Sequence, residues 1–183
     1  IGGLLANAER AYEIKNNELD PNRYLGLLDV IDTLNFTSLD LLVETLEPLL
    51  DTDLAIWHLG LNNILGSLDA YYSSGQNYYL YQDSIHRRLA ILPWDFNMAF
   101  GVYGSQGATM SPTYGKNDTD RPLYNKLVNK ETLRHEYLSH VHFAATTGLD
   151  PQVLHVEIDD LATLIDAEVK SDTRLGLSYA SWL

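Results

Sequence analysis

Leu68-Asp69-Ala70-Tyr71, then Asn77-Tyr78-Tyr79-Leu80-Tyr81, then Ile91-Leu92-Pro93-Trp94-Asp95-Phe96-Asn97: the reading of this stretch decides the fold. Ser73-Ser74-Gly75 lies between the first two runs and supplies residues that bend a chain, so 70–76 reads as a loop. Residues 77–81 are aromatic and suit a pleated, half-buried strand. Residues 82–86 read as a turn, and Arg87-Arg88-Leu89-Ala90-Ile91-Leu92 as a second strand that stops at Pro93. The expectation is a β-hairpin with one aspartate, Asp69, delivered before it and another, Asp95, delivered at its end.

Helical patterns flank this hairpin. On the N-terminal side, 4–15 reads as a helix, and after Asp20-Pro21 the residues Tyr24, Leu27, Leu28, Ile31 and Leu34 recur at helical spacing. Thr37 with Asp40 has the form of a capping box, which predicts a helix from 38 to about 50 with Pro48 ending it early. Asp51-Thr52-Asp53 offers another N-cap, after which Leu54, Trp57, His58, Leu61, Ile64, Leu65 and Leu68 form an amphipathic stripe. On the C-terminal side, 101–122 is rich in Gly, Ser, Thr, Asn and Asp and reads as a long loop of the kind that often carries function. Residues 123–147 read as a helix closed by Gly148. Asp150-Pro151 then opens a last helix carrying Val153, Val156, Ile158, Leu161, Leu164, Ile165 and Val169. No internal repeat or low-complexity segment interrupts the chain.

The 183 residues are enough for one core, and they carry 25 acidic side chains against 12 basic ones, a formal charge of −13. Such a surface repels phosphate backbones and anionic lipid, so neither nucleic acid nor a membrane surface is an expected partner. A nucleotide accompanied by a divalent cation is a different matter, because the cation inverts the local charge logic. The chain has no cysteine, which excludes disulfide scaffolds, thiol nucleophiles and cysteine-ligated metal. No apolar run approaches the roughly 20 residues needed to span a bilayer. The opening Ile1-Gly2-Gly3-Leu4-Leu5 lacks an initiator Met and a signal-peptide charge pattern, so residue 1 reads as a point inside a longer chain.

The order Asp69, loop, Asn77, hairpin, Asp95 is the order of parts in a protein-kinase-like catalytic lobe. There one Asp lies near the acceptor hydroxyl, and an Asn and a second Asp hold Mg²⁺. The residue types suit the chemistry, because Mg²⁺ takes hard oxygen ligands and needs only one or two from protein when phosphates supply the rest.

The runs Asn77-Tyr78-Tyr79-Leu80-Tyr81, Leu92-Pro93-Trp94-Asp95-Phe96-Asn97 and Ala99-Phe100-Gly101 resemble the core signature of the CotH family, the spore coat protein H-like atypical protein kinases. Leu68-Asp69-Ala70-Tyr71 resembles the family's catalytic-loop Asp before an aromatic. Arg121-Pro122-Leu123 and the helix with Tyr137, then Ile165 and Asp172, resemble its tail, so that the likeness covers roughly 10–175. The resemblance implies an α+β, mainly helical fold: a kinase-like large lobe occupying 1–183, with its short hairpin between the catalytic-loop Asp and the metal-binding Asp. It implies Asp69 as the catalytic residue, and Asp95 with Asn77 as the residues that hold the metal and the nucleotide phosphates. The cofactors implied are ATP with Mg²⁺, or with Mn²⁺ or Ca²⁺, and the partner is a protein bearing a Ser or Thr acceptor. It also implies a spore-coat, cell-surface or extracellular location.

Two departures from the pattern stand out. Asn97 occupies a position where members can carry a second Asp, and the gap of eight from Asp69 to Asn77 exceeds the ordinary kinase loop. A kinase also needs a β-rich small lobe with a phosphate-covering loop and a Lys, and nothing before Asp69 reads as one. Lys15 is better read as a surface residue. The small lobe is therefore expected to precede residue 1. Two rivals to a kinase reading are a non-catalytic surface module, which Asn97 would suit, and hydrolysis by Asp69 and Asp95 as paired carboxylates.

Other motifs give way to simpler readings. His135 and His140 stand five apart, off the i, i+4 spacing of zinc-protease helices, and read as a solvated face. His58 reads as a core or boundary histidine, and Trp94 both as packing the hairpin end onto the helical body and as fixing the rotamer of the neighbouring Asp95. Gly101, Gly104 and Gly107 lack the strand and helix that a dinucleotide loop requires. Asn117-Asp118-Thr119-Asp120 lacks the glycine and terminal Glu of a calcium loop.

Overall fold

A computed structural model describes residues 2–104, 109–174, 176 and 178–182. Gly107 and the neighbouring part of the expected long loop lie outside the described residues. The chain divides into two units, Ile1–His142 and Phe143–Leu183. In the first run α1 (Gly2–Ala11), α2 (Leu25–Phe36), α3 (Leu42–Leu46), α4 (Thr52–Ile64), β1 (Tyr78–Gln82), β2 (Leu89–Pro93), α5 (Pro122–Asn129) and α6 (Glu131–Phe143), whose last residue begins the second unit. The fold is α+β and mainly helical, with one two-stranded antiparallel sheet among the described residues.

The hairpin follows from its sequence. Tyr78 pairs with Pro93, Leu80 with Ile91 and Gln82 with Leu89, so these side chains share the inward face, while Tyr79, Tyr81 and Leu92 face out. Asp83 closes the turn: its carboxylate accepts from the backbone N–H groups of Ile85 and His86, which, together with the His86 side chain, hold it below the usual carboxylate range. The hairpin is tied to the helical body through β2. Leu89 donates to Leu49 O at 2.7 Å and accepts from Asp51 N at 2.8 Å, immediately before α4.

One core joins these elements. Leu42, Leu46, Ala55, Ile56, Tyr124, Leu127, Val128 and Tyr137 are fully buried, and Val30, Leu34, Leu68, Leu89 and Ile91 pack with them. Each large aliphatic side chain taken from water contributes about 1.5–3 kcal/mol, which makes this cluster the main stabilising element of the first unit. A smaller cluster of Ala8, Tyr24 and Leu28 seats α1 on α2.

Several elements differ from the sequence expectation. The capping box at Thr37 does not form: Thr37 instead ends α2, donating its N–H to Thr33 O, and only Leu42–Leu46 is helical where 38–50 was expected. Leu42 and Leu46, one helical turn apart, are both buried, and the helix stops two residues before Pro48, which the sequence expects to end it early. Asp51 does cap α4, accepting from Leu54 N. The buried side of α4, however, is Ala55, Ile56, Leu59, Asn62 and Asn63, while Trp57, Leu61 and Ile64 of the expected stripe stay partly exposed. The helix is covered from two directions, by β2 and by α6, where Gly60 lets Val141 approach. It also ends sooner than Leu68. Gly66, at φ 60, donates to Asn63 O, and Ser67 donates to Asn62 O, a paired closure that stops the helix and frees Leu68-Asp69 from it. The expected helix 123–147 breaks at Lys130, whose extended backbone lets α5 and α6 cover one core with Tyr124 and Tyr137 in edge contact.

The second unit has a π-helical turn (Ala144–Gly148), α7 (Pro151–Ser171) and α8 (Tyr179–Trp182). Asp150 caps α7 through Gln152 N with Pro151 in its first turn, as the sequence indicates. Tyr179 bonds Asp166, and Lys170 lies over the Tyr179 ring at 5.4 Å.

Candidate active site

Asp69 emerges just past the closure of α4, on a turn whose ends are fixed. Leu68 before it is buried and lies against Gly104, where a Cβ would come within 2.5 Å of Leu68 Cδ1. Phe100 donates its N–H to Leu65 O at 2.6 Å, so the segment that follows the hairpin docks on the end of α4.

Asp69 is surrounded by donors from the loop it opens. The Asn77 amide nitrogen donates both to Asp69 Oδ2, at 2.9 Å, and to the Asp69 backbone oxygen, at 2.7 Å, while the Gln76 amide donates to Oδ1. The Gln76 hydrogen bond, working against the opposing effect of burial and joined by Ser74 and Asn77, holds the Asp69 carboxyl below its ordinary value. Asp69 is thus an anion at neutral pH, poor as a strong base but well suited to accept a hydrogen bond from a hydroxyl.

Asn77 and Asp95 stand at one end of the hairpin. The pairing of Tyr78 with Pro93 places Asn77 opposite Trp94, and Trp94 N donates to Asn77 O at 3.3 Å. Both residues have left-handed backbones, φ 60 for Asn77 and φ 49 for Asp95, a conformation that Asn and Asp adopt more readily than most side chains. Strained backbone collects at functional sites, and two of the five non-glycine residues with positive φ among the described residues are these. Asp95 is exposed, and its Oδ1 accepts from Asn97 N at 3.2 Å.

This donor set fits a divalent cation that brings its own phosphates. The Asp69 oxygens can only accept, so the Asn77 NH₂ must face them and its Oδ1 must face elsewhere, with no donor among the described residues. That leaves one carboxylate, Asp95, and one amide oxygen, Asn77, as hard ligands. No group of three or more His, Cys, Asp or Glu able to hold a metal occurs among the described residues, and magnesium held against a nucleotide does not require one.

The residues around this centre sort the remaining expectations. Trp94 is 56% exposed and meets Tyr79 edge-on at 5.0 Å, so it extends the outer face of the hairpin and does not pack into the helical core as expected. His140 is not simply solvated: its ring stacks on Trp57 at 4.0 Å, and Nε2 lies 3.0 Å from Asp53 Oδ1, whereas His135 is exposed. His58 is buried as a core histidine. Burial lowers it to about 4, its Nε2 meets the Asn62 amide at 3.3 Å, and its Nδ1 has no partner among the described residues. Asn117, Asp118, Thr119 and Asp120 are all exposed. Gln76 escaped the sequence reading; the signal available was an amide directly before Asn77 in a loop opened by an aspartate.

A family model described as CotH kinase protein matches residues 5–181, nearly the whole chain. Searches of curated proteins and of solved structures each gave no significant match.

Proposed function

The chain belongs to the CotH kinase protein family, and from that premise we propose that it is the large-lobe part of an atypical kinase that moves the ATP γ-phosphoryl group to a Ser or Thr hydroxyl of a protein. The observation that carries the reading is the pair of hydrogen bonds that the Asn77 amide nitrogen donates to Asp69, which couples the acceptor-side carboxylate to the metal-side end of the hairpin. Asp69 orients the acceptor hydroxyl by accepting its hydrogen bond. Asp95 and the Asn77 amide oxygen hold the divalent cation. The cation, when bound, supplies positive charge against the phosphate oxygens. Gln76 and Asn77 keep Asp69 ionised and aimed, so that positioning and electrostatics supply the rate enhancement and no covalent intermediate on the protein is needed.

A spore-coat, cell-surface or extracellular setting is part of the same proposal. Calorimetric titration of ATP into the full-length protein with Mg²⁺, Mn²⁺ or Ca²⁺ tests the assignment. Wild type is expected to bind nucleotide with at least one of these ions and Asp95→Asn to lose that binding. Equal binding by Asp95→Asn would remove Asp95 from the site, and no binding by wild type would favour a kinase-like surface module, the role that Asn97 in place of a second Asp would suit.

A further inference from the structure

The loop that carries the Asp69 donors is held from behind by a residue with no part in the chemistry so far described. Arg121, immediately before α5, sends Nε and Nη2 to the same backbone oxygen, that of Ser73, at 3.0 and 2.6 Å, and Nη1 to Asp120 O at 3.0 Å. Its guanidinium lies against Gly75: a Cβ there would meet Arg121 atoms at 3.3–3.4 Å, and Gly75 has φ +79. The tie is returned by the loop. Tyr71 Oη accepts from Leu123 N at 3.1 Å, satisfying one of the donors that the first turn of α5 leaves without a helical partner. Arg121 makes no ion pair with a carboxylate among the described residues, so its fork is committed to backbone oxygens and to the flat face that Gly75 offers.

The start of α5 is itself firmly placed. Tyr124 and Leu127 are fully buried, and the segment before the helix is fastened by Asn125 and Asn129, both donating to Lys116 O at 2.8 and 2.9 Å. The chain between Asp95 and α5 therefore ends in a rigid anchor, and from that anchor Arg121 reaches to the middle of the 70–76 loop.

We propose that Arg121 is a positioning residue for Asp69 and Asn77, setting the geometry of the acceptor loop from the N-terminus of α5. Its functional part rests on the phosphoryl-transfer reading; its structural part does not. Lysine cannot replace it, because a single ammonium cannot send two N–H groups to Ser73 O and a third to Asp120 O from one plane.

The test compares full-length wild type with Arg121→Ala, Arg121→Lys and Tyr71→Phe by hydrogen exchange, by NMR titration of the Asp69 carboxyl, and by phosphoryl-transfer kinetics. In Arg121→Ala, exchange is expected to rise by about tenfold across 70–77 and to stay unchanged in α2 and β2. The Asp69 carboxyl is expected to move up toward its ordinary value as its donors loosen. The kcat is expected to fall by roughly tenfold to a hundredfold and KM for the metal–nucleotide to rise by less, because of the two metal-side residues only Asn77 lies on the braced loop and Asp95 lies off it. Arg121→Lys should fall between, and Tyr71→Phe should raise exchange at Leu123. Exchange raised evenly through α4, α5 and the hairpin, or exchange and Asp69 titration unchanged in 70–77, would overturn the proposal. If wild type transfers no phosphate, the phosphoryl-transfer reading fails while the exchange and titration results still decide whether Arg121 holds the loop.

Discussion

At the scale of single residues, the candidate site is a set of hydrogen-bonding decisions. Asp69 receives donors from Gln76 and Asn77, so Gln76→Ala should let its carboxyl titrate at higher pH than in wild type, and carboxyl NMR can follow the change. Asp69→Asn keeps the shape but loses the anion that accepts from a hydroxyl. It should lower phosphoryl transfer by at least about a hundredfold while leaving metal–nucleotide binding near wild type, as read by transfer kinetics beside calorimetry. His58 makes a separate prediction. Its value falls from 6.5 to about 4 on burial, so the unfolded chain binds the proton more tightly than the folded one. Stability from this group is complete above pH 6.5 and is lost as pH falls toward 4, by about 2 kcal/mol between pH 7.5 and pH 5. Urea unfolding of wild type and His58→Gln at the two pH values should show that difference vanish in the variant. The sequence singles out Asp69, Asn77 and Asp95 as candidates because each stands beside a recognisable run. Gln76 and Arg121 were not legible as partners, because their contacts depend on how a loop folds back on itself.

Elements were legible where one strong local preference acted alone. The hairpin appears within two residues of its expected bounds, since aromatic and β-branched residues, a turn and Pro93 all favour it. The Asp51 and Asp150 caps appear too, and Asp51→Ala should destabilise α4 by about 0.5–2 kcal/mol in urea unfolding. Where tertiary packing competes with local pattern, the pattern gives way. The Thr37 box yields to the closure of α2, the α4 stripe to contacts from two directions, and the run past Ile64 to the closure at Gly66. Gly104 is the most demanding glycine near the site. With φ +88 and a Cβ position 2.5 Å from Leu68 Cδ1, Gly104→Ala should cost about 1–3 kcal/mol, checked by denaturant midpoint, and should displace the residue before Asp69.

At the scale of the molecule, the first unit packs a short hairpin on its helices, and the chain's acidic balance bears on what can approach the hairpin's end. A formal charge of −13 repels a free nucleotide, so ATP in the presence of a chelator should give no measurable heat, whereas ATP with a divalent cation should bind. Composition alone suggests that expectation; only the fold puts Asp95 and Asn77 at one end of a hairpin and ties Asn77 to Asp69. The central claim is that these three residues form one phosphoryl-transfer centre. Mass-spectrometric detection of phosphoserine or phosphothreonine formed on a protein acceptor tests it most directly, with full-length protein, ATP and a divalent ion, in wild type, Asp69→Asn and Asp95→Asn. Product is expected with wild type and at most a trace with either variant; product from both variants at the wild-type rate would overturn the assignment.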